Sequence, residues 1–264
     1  MQGSKEKADL FAKTFAEKSK LPPEVIDTLY FGPISEEFEE FICLRSRTTE
    51  KIFRKLDETK ATGPDKIPAT ILKKFGHVLA VPFTMVCRRL LAEACWPKLW
   101  KNHSICPLYK KNSAFWAGNY RGVHLTSILS KVAEKVIGGR LIQFLQSGKF
   151  GENQWAFTPG LSSRDLVTSL VMSWILAFCT GHKIAAYLSD ITAAFDRVSK
   201  PYLLAKLQSM GIGPTYLNFL DAYLEERLAK VIVEGVESDP FVISNTVFQG
   251  TVLGPPFHNR ILQT

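Results

Sequence analysis

Apolar residues recur along this chain with two different periods, and the period changes wherever glycine or proline punctuates it. Over residues 5–19, Leu10, Phe11 and Phe15 fall on one face of a short charged helix. Leu21-Pro22-Pro23 ends it, and residues 24–47 show little period and read as a connecting arm. Thr48 or Thr49 is placed to cap a helix carrying Ile52, Phe53 and Leu56. Gly63-Pro64-Asp65 is a turn signal. Two amphipathic helices are expected at about 67–76 and 79–95. A strand over His103–Lys111 follows, with a basic tip, and the chain returns from Asn119-Tyr120-Arg121. The strongest helical period runs over Thr126–Phe144, where Ile128, Leu129, Val132, Val136, Leu141 and Phe144 form one stripe. Ser162 or Ser163 caps a further helix through Phe178. Residues 183–190 read as a buried strand, and helices are expected near 200–210 and 214–227. Lys230–Val233 and Pro240–Val247 read as a β-hairpin around Gly235-Val236-Glu237-Ser238, and residues 248–256 open a final helix. No repeat or linker divides residues 48–264. The pattern gives an N-terminal helix and arm over 1–47 and one α/β unit over 48–264.

Composition adds a sign. The chain carries a formal net charge of +8 with 46% apolar residues, enough for a real core and suited to a polyanionic partner. Its five cysteines are widely spaced, with no Cys-x-x-Cys, which argues against a zinc ribbon or a disulfide framework. The N-terminus lacks the apolar core of a signal peptide, and the longest apolar run, Leu166–Phe178, is too short to span a bilayer. The expectation is a soluble, intracellular protein, nuclear or cytoplasmic, with no membrane partner. Trp96, Trp100 and Trp155 read as core residues rather than stacking platforms.

The stretch richest in chemistry is Lys183–Val198. Its apolar run stops at Asp190, and Phe195 and Asp196 follow within six residues. A carboxylate at the end of a buried strand can hold a divalent cation against a substrate phosphate, and Ala193 and Ala194 are small enough for backbone amides to approach it. The same residues also suit a strand running into a turn capped by Asp190 or Asp196.

The order of motifs resembles the reverse transcriptase domain of non-LTR, LINE-type retrotransposons from about residue 48 onward. Ala61-Thr62-Gly63-Pro64-Asp65 is similar to the fingers entry motif. Pro107–Lys111 with Asn119-Tyr120-Arg121 is similar to the next fingers motif, and Leu125–Val132 with Glu134–Ile137 to the helix after it. Gln154 and Phe157–Gly160 resemble the motif before the palm. Asp190 with Ala194-Phe195-Asp196 resembles palm motif A, and Gln249-Gly250 with Gly254-Pro255 resembles motif B. Two positions depart from the family pattern: Gly122 and Val123 stand where Pro-Ile is common, and Phe248 where proline commonly precedes the glutamine. The family's third palm motif, aromatic-x-Asp-Asp, is not reached before Thr264.

The resemblance implies a right-hand polymerase fold, with helix-rich fingers and an incomplete palm bearing a small antiparallel sheet. It implies RNA-directed DNA synthesis with an RNA template, a DNA primer and deoxynucleoside triphosphates. Two Mg2+ ions would drive nucleotidyl transfer, bound weakly here because partner carboxylates are missing. By the same resemblance Asp190 is the catalytic carboxylate and, with the Ile191 carbonyl, a metal ligand. Arg121, Lys110, Ala193, Ala194, Phe195 and Gln249 bind the nucleotide, with Phe195 as steric gate. Gly250, Asn119, Gln154 and Arg164 contact template or primer. With one carboxylate of the set present, the chain alone is expected to be inactive. The rival reading is a non-catalytic nucleic-acid-binding remnant of such an element.

Overall fold

The computed structural model describes residues 3–20, 42–145, 155–156, 158, 160–189, 198–243, 247–248 and 250–257. Among these residues, five strands form one small sheet and eight α-helices surround it. Strand β1 (Asn102–Tyr109) pairs antiparallel with β2 (Tyr120–Leu125), Leu108 opposite Arg121 and Ser104 opposite Leu125. On its other edge β1 pairs in parallel with β3 (Arg227–Val233), Ser104 opposite Lys230. The far edge of β3 carries β4 (Val236–Glu237) and β5 (Phe241–Ile243), both antiparallel. The expected hairpin forms in altered pairing: Val236–Glu237, read as part of the turn, is a strand against Ile232 and Val233, and Phe241–Ile243 pairs with Arg227–Ala229 rather than with 230–233, while β3 also bridges to β1.

Alternation along strands gives the sheet two unlike faces. One is covered by helix α1 (Ser4–Lys18), which buries Ala8, Phe11, Ala12 and Phe15 at helical spacing. Phe11 and Phe15 join Ile105, Ala229, Val231, Ile243 and Phe248 in a core under the helix, and the Phe11 and Tyr120 rings meet edge to face at 4.7 Å. Leu10 was expected on this face and instead points to solvent, because a spacing of 8, 11, 12 and 15 leaves position 10 on the far side. Polar ties hold the helix ends: Lys5 Nζ to Asp239 at 2.7 Å, the Asp239 amide donating to Asp9 at 2.9 Å, and Lys18 Nζ donating to the Gly118 carbonyl at 3.0 Å.

A second core is helical. It gathers α2 (Ser46–Arg54), α3 (Ala69–Lys74), α4 (Gly76–Ala92), α5 (Ile128–Leu145), α7 (Lys200–Ser209) and α8 (Pro214–Tyr223) around Phe53, Val132, Leu141 and Phe219. Fully burying one such phenylalanine contributes about 1.5–3 kcal/mol. Trp96 and Trp100 lie in this core, as their composition suggested. Neither Thr48 nor Thr49 caps α2. The helix starts earlier, with Arg45 as N-cap, and the Thr49 hydroxyl is buried against that of Thr84 at 2.6 Å, a partner that sequence alone does not show.

Helix α6 (Ser163–Cys179) is capped by Ser162 as expected, in a reciprocal capping box with Asp165. None of its residues is buried. The strand expected over 183–190 is not formed across residues 182–189, where Tyr187 is 93% and Leu188 90% exposed. Strand propensity is realised only against a neighbour, and none of the five strands lies beside this stretch.

Candidate functional site

Among the described residues, no helix covers the face of the sheet opposite α1. Register places Leu108, Arg121, Ser104, Leu125, Leu228 and Lys230 on it together. The Lys110 amide donates to the Asn119 carbonyl at 3.0 Å, which continues the ladder one pair further and sets both residues on the same face as Arg121. Arg121 and Lys110 are exposed and enter no ion pair among the described residues. Two of the cations expected to hold a triphosphate therefore stand side by side. The Asn119 amide is already engaged, donating to the Ser113 carbonyl at 2.7 Å and closing the loop between β1 and β2.

At its other end this face deepens into a groove of about 690 Å³, lined by Thr62, Gly63, Lys66, Asn102, Ser104 and Lys230 among others. Lys230 is paired with Glu237 at 2.8 Å. The wall of the groove is the turn at Gly63, and its seat explains the glycine. A Cβ there would lie 2.5 Å from the backbone of Thr126 and Ser127. Asp65 fixes the same turn by accepting from the Ser127 hydroxyl at 2.5 Å.

A second glycine turn seats on the same junction of β2 and α5. Gly250 has φ +104°, and a Cβ on it would lie 2.7 Å from the His124 carbonyl oxygen. Its close approach is thus to protein backbone. Just beyond it, the buried carboxylate of Glu134 accepts hydrogen bonds from the amides of Val252 at 2.6 Å and Leu253 at 3.1 Å. These are donors at the start of the helical turn 254–257. Burial pushes the Glu134 carboxyl above its ordinary range, opposed by the two amides and by Arg227. Arg227 is itself buried. It donates to the Tyr223 and Trp100 carbonyls, and its guanidinium lies 4.9 Å from the ring centroids of both Tyr223 and Phe248. Burial lowers its pKa and raises that of the Tyr223 hydroxyl.

Next to this charge sit His103 and His124, Nδ1 to Nδ1 at 3.0 Å, with Phe248 edge-on to His103 at 4.9 Å. One ring must donate and the other accept, so the two cannot both be protonated at Nδ1. Burial, with the neighbouring Arg227 charge, lowers His124 to about 4 and His103 well below its ordinary value. The two departures from the family pattern lie at different places. Phe248 stacks on this cluster, and Gly122 is tight against α1, where a Cβ would meet Ile105 at 3.0 Å and Phe15 at 3.4 Å.

Three sequence motifs, distant along the chain, thus meet at one junction: the Gly63–Asp65 turn, the Thr126–Glu134 segment, and the Gly250–Leu253 turn. Residues 109–264 match the family described as reverse transcriptase (RNA-dependent DNA polymerase), more than half of the chain. The chain belongs to the reverse transcriptase family. Its relatives include a probable RNA-directed DNA polymerase from transposon BS of Drosophila melanogaster, 28% identical over 80% of this chain and 24% of the relative. The RNA-directed DNA polymerase from mobile element jockey of the same organism is 27% identical over 97% of this chain and 29% of its own length. The probable polymerase from transposon X-element is 28% identical over 74% and 22%. The resemblance to non-LTR retrotransposon reverse transcriptases therefore holds. The reverse transcriptase chain spans under a third of the length of each of these relatives.

Of the residues assigned from sequence, Asp190, Ile191, Ala193, Ala194, Phe195, Gln154 and Gln249 lie outside the described residues. Arg164 is exposed in the first turn of α6. Among the described residues, no three His, Cys, Asp or Glu side chains come together to hold a metal ion, so these residues form no magnesium cage. No helix among them is long and apolar enough to cross a membrane. Glu134 and Arg227 received no role from sequence. The signal was present: each is a charged residue type at an inward position, Glu134 in line with Ile137 and Leu141 on α5, and Arg227 on β3.

Proposed function

We propose that this chain is part of an RNA-directed DNA polymerase of a non-LTR retrotransposon, folded as the fingers and part of the palm of a right-hand polymerase. Its sheet face opposite α1 receives the incoming deoxynucleoside triphosphate, with the RNA template and the primer lying across it. Arg121 supplies a guanidinium fork matched to phosphate oxygens, and Lys110 a second positive charge beside it. The turns at Gly63 and Gly250 set the edge against which the templating pair rests. Asp190 is the carboxylate for Mg2+, with the Ile191 carbonyl, and Phe195 is the gate against a ribose 2′-hydroxyl. Ala193, Ala194 and Gln249 contact the nucleotide, and Gln154, Asn119, Arg164 and Gly250 the template or primer. Nucleotide binding is the direct test of this face.

The observation that carries this reading is the placement of two unpaired cations, Arg121 and Lys110, on one sheet face beside the junction of the three motifs. The test is crosslinking of a photoreactive deoxynucleoside triphosphate to the chain bound to an RNA template with a DNA primer. Arg121→Gln should weaken nucleotide capture about tenfold, which is about 1.4 kcal/mol. Capture equal to wild type in Arg121→Gln and in the Arg121→Gln/Lys110→Gln pair would remove the sheet face from consideration.

A further inference from the structure

The loop that closes the β1–β2 hairpin displays two large rings to solvent. Phe115 is 97% exposed and Trp116 72%, and neither meets another ring among the described residues. Two adjacent aromatics this exposed are the kind of apolar surface that marks a contact site. The loop beneath them is pinned. The Asn119 side chain donates to the Ser113 carbonyl at 2.7 Å, the Tyr120 hydroxyl to the Ala114 carbonyl at 3.0 Å, and the Tyr109 hydroxyl to the Asn112 carbonyl. The Asn119 backbone amide donates to the Trp116 carbonyl at 2.9 Å, and Asn112 turns the chain with φ at 71°. Tyr120 is seated on Phe11 of α1, and Lys18 at the end of that helix donates to the Gly118 carbonyl. The charge around the rings has one sign. Residues 110–121 include Lys110, Lys111 and Arg121 and no aspartate or glutamate. All three cations are exposed and enter no ion pair among the described residues.

We propose that Phe115 and Trp116 form a stacking platform for unpaired bases of single-stranded RNA, with Lys111 beside them on the phosphate backbone. Every base presents a π-face, so aromatic rings at a fixed tip hold bases without reading their sequence. A lysine adds a point charge for the adjoining phosphates. The single sign of the charge selects a polyanion over an apolar protein surface, because the cores of protein interfaces are depleted in lysine. Pinning of the loop lowers the ordering cost of binding. The proposal rests on the reading of the hairpin face as the path of the template, and adds that unpaired template bases are held at its tip.

Phe115→Ala/Trp116→Ala removes both rings and leaves the backbone bonds of the loop in place. Phe115→Leu/Trp116→Leu keeps apolar bulk without a ring. Anisotropy across a salt series measures binding of a short labelled single-stranded RNA and of an abasic oligonucleotide of equal length. The alanine pair should weaken RNA binding about tenfold, which is about 1.4 kcal/mol, within the reach of base–aromatic stacking. The leucine pair should lose nearly as much. Neither should change the affinity for the abasic strand or the salt slope, since the phosphate contacts remain. Lys111→Gln should do the reverse, flattening the log–log slope by about 0.7 for one contact on a single strand. Trp116 fluorescence, isolated by difference against Trp116→Phe, should be quenched by the RNA and not by the abasic strand. RNA binding unchanged in the alanine pair, or fully kept in the leucine pair, would overturn the proposal. So would equal loss of the abasic strand. Binding to phosphatidylserine vesicles that the alanine pair abolishes, with RNA binding intact, would overturn it in favour of a membrane surface. Arg121→Gln separates this site from the nucleotide site: nucleotide capture should fall while quenching of Trp116 by RNA persists. Quenching lost in Arg121→Gln would overturn a separate platform at the tip.

Discussion

Glu134 holds the Gly250–Leu253 turn by two charge-assisted hydrogen bonds inside the protein, and its removal is expected to be among the costliest single changes. Glu134→Ala deletes acceptors for the Val252 and Leu253 amides, at 2.6 and 3.1 Å. Hydrogen bonds to a charged group contribute about 1.5–3 kcal/mol each. It also leaves the buried Arg227 without the nearby carboxylate that opposes its desolvation. Among the described residues no ion pair joins Glu134 to Arg227, so the two hydrogen bonds set the scale, about 3–6 kcal/mol together. That is a third or more of the stability of a typical domain. Glu134→Gln keeps the shape and one acceptor and should cost about 1–2 kcal/mol. Urea denaturation gives the magnitude. Hydrogen exchange at Val252 and Leu253 gives the location, with both amides exchanging faster in Glu134→Ala than the global change requires. A loss below about 1 kcal/mol, or protection unchanged at both amides, would refute the assignment of Glu134 as the clamp on this turn.

Three further outcomes are expected. His124 titrates at about 4 in the folded protein against an ordinary 6.5, so below pH 6.5 the unfolded chain binds more protons; stability is full above 6.5 and falls by about 3 kcal/mol as pH drops toward 4. Denaturation midpoints between pH 7 and 4.5 check this, and His124→Gln should flatten the slope. Adjacent glycines of α5 should respond oppositely: Gly139→Ala has open space and should stabilise by about 0.5–1 kcal/mol, whereas a Cβ at Gly138 lies 2.6 Å from Leu253 Cδ2 and Gly138→Ala should destabilise. Thr49→Val removes one member of the buried hydroxyl pair with Thr84 and should cost about 1 kcal/mol by thermal melting, since Thr84 keeps its bond to the Ala80 carbonyl at 2.6 Å.

Local chemistry was the legible part of the sequence. Helical period located α1, α5 and α6, the cap of α6 was narrowed to Ser162 or Ser163, and glycine with aspartate marked the turn at Gly63. The order of motifs gave the family. What the sequence hid was pairing between distant segments. Nothing in Asn102–Ile105 specifies that Leu228–Val231 will lie parallel beside it, because register is a property of two strands. The same limit explains residues 182–189, whose apolar character reads as strand without saying what would pair with it. Charge placement behaved likewise: Glu134 and Arg227 could be seen as charged residues at inward positions, but not that both would gather at one junction. Arg121 and Lys110 were named from the family resemblance, and pairing of β1 with β2 sets them on one face.

The parallel bridge between β1 and β3 has a temporal meaning during synthesis. Helix α1 leaves the ribosome well before β3, yet the surface it covers includes Ala229, Val231 and Ile243. Its Ser4 and Lys5 contacts are made with Glu234 and Asp239, 230 and 234 residues later. At about 5–20 residues per second the helix waits roughly 10–45 s before its docking site exists. Through that interval Phe11 and Phe15 have no core, and the sheet lacks its central strand. Such long-range closure folds slowly, which makes the nascent chain a client for holding chaperones until β3 arrives, and makes α1 lock only after β3 although it is made well before it.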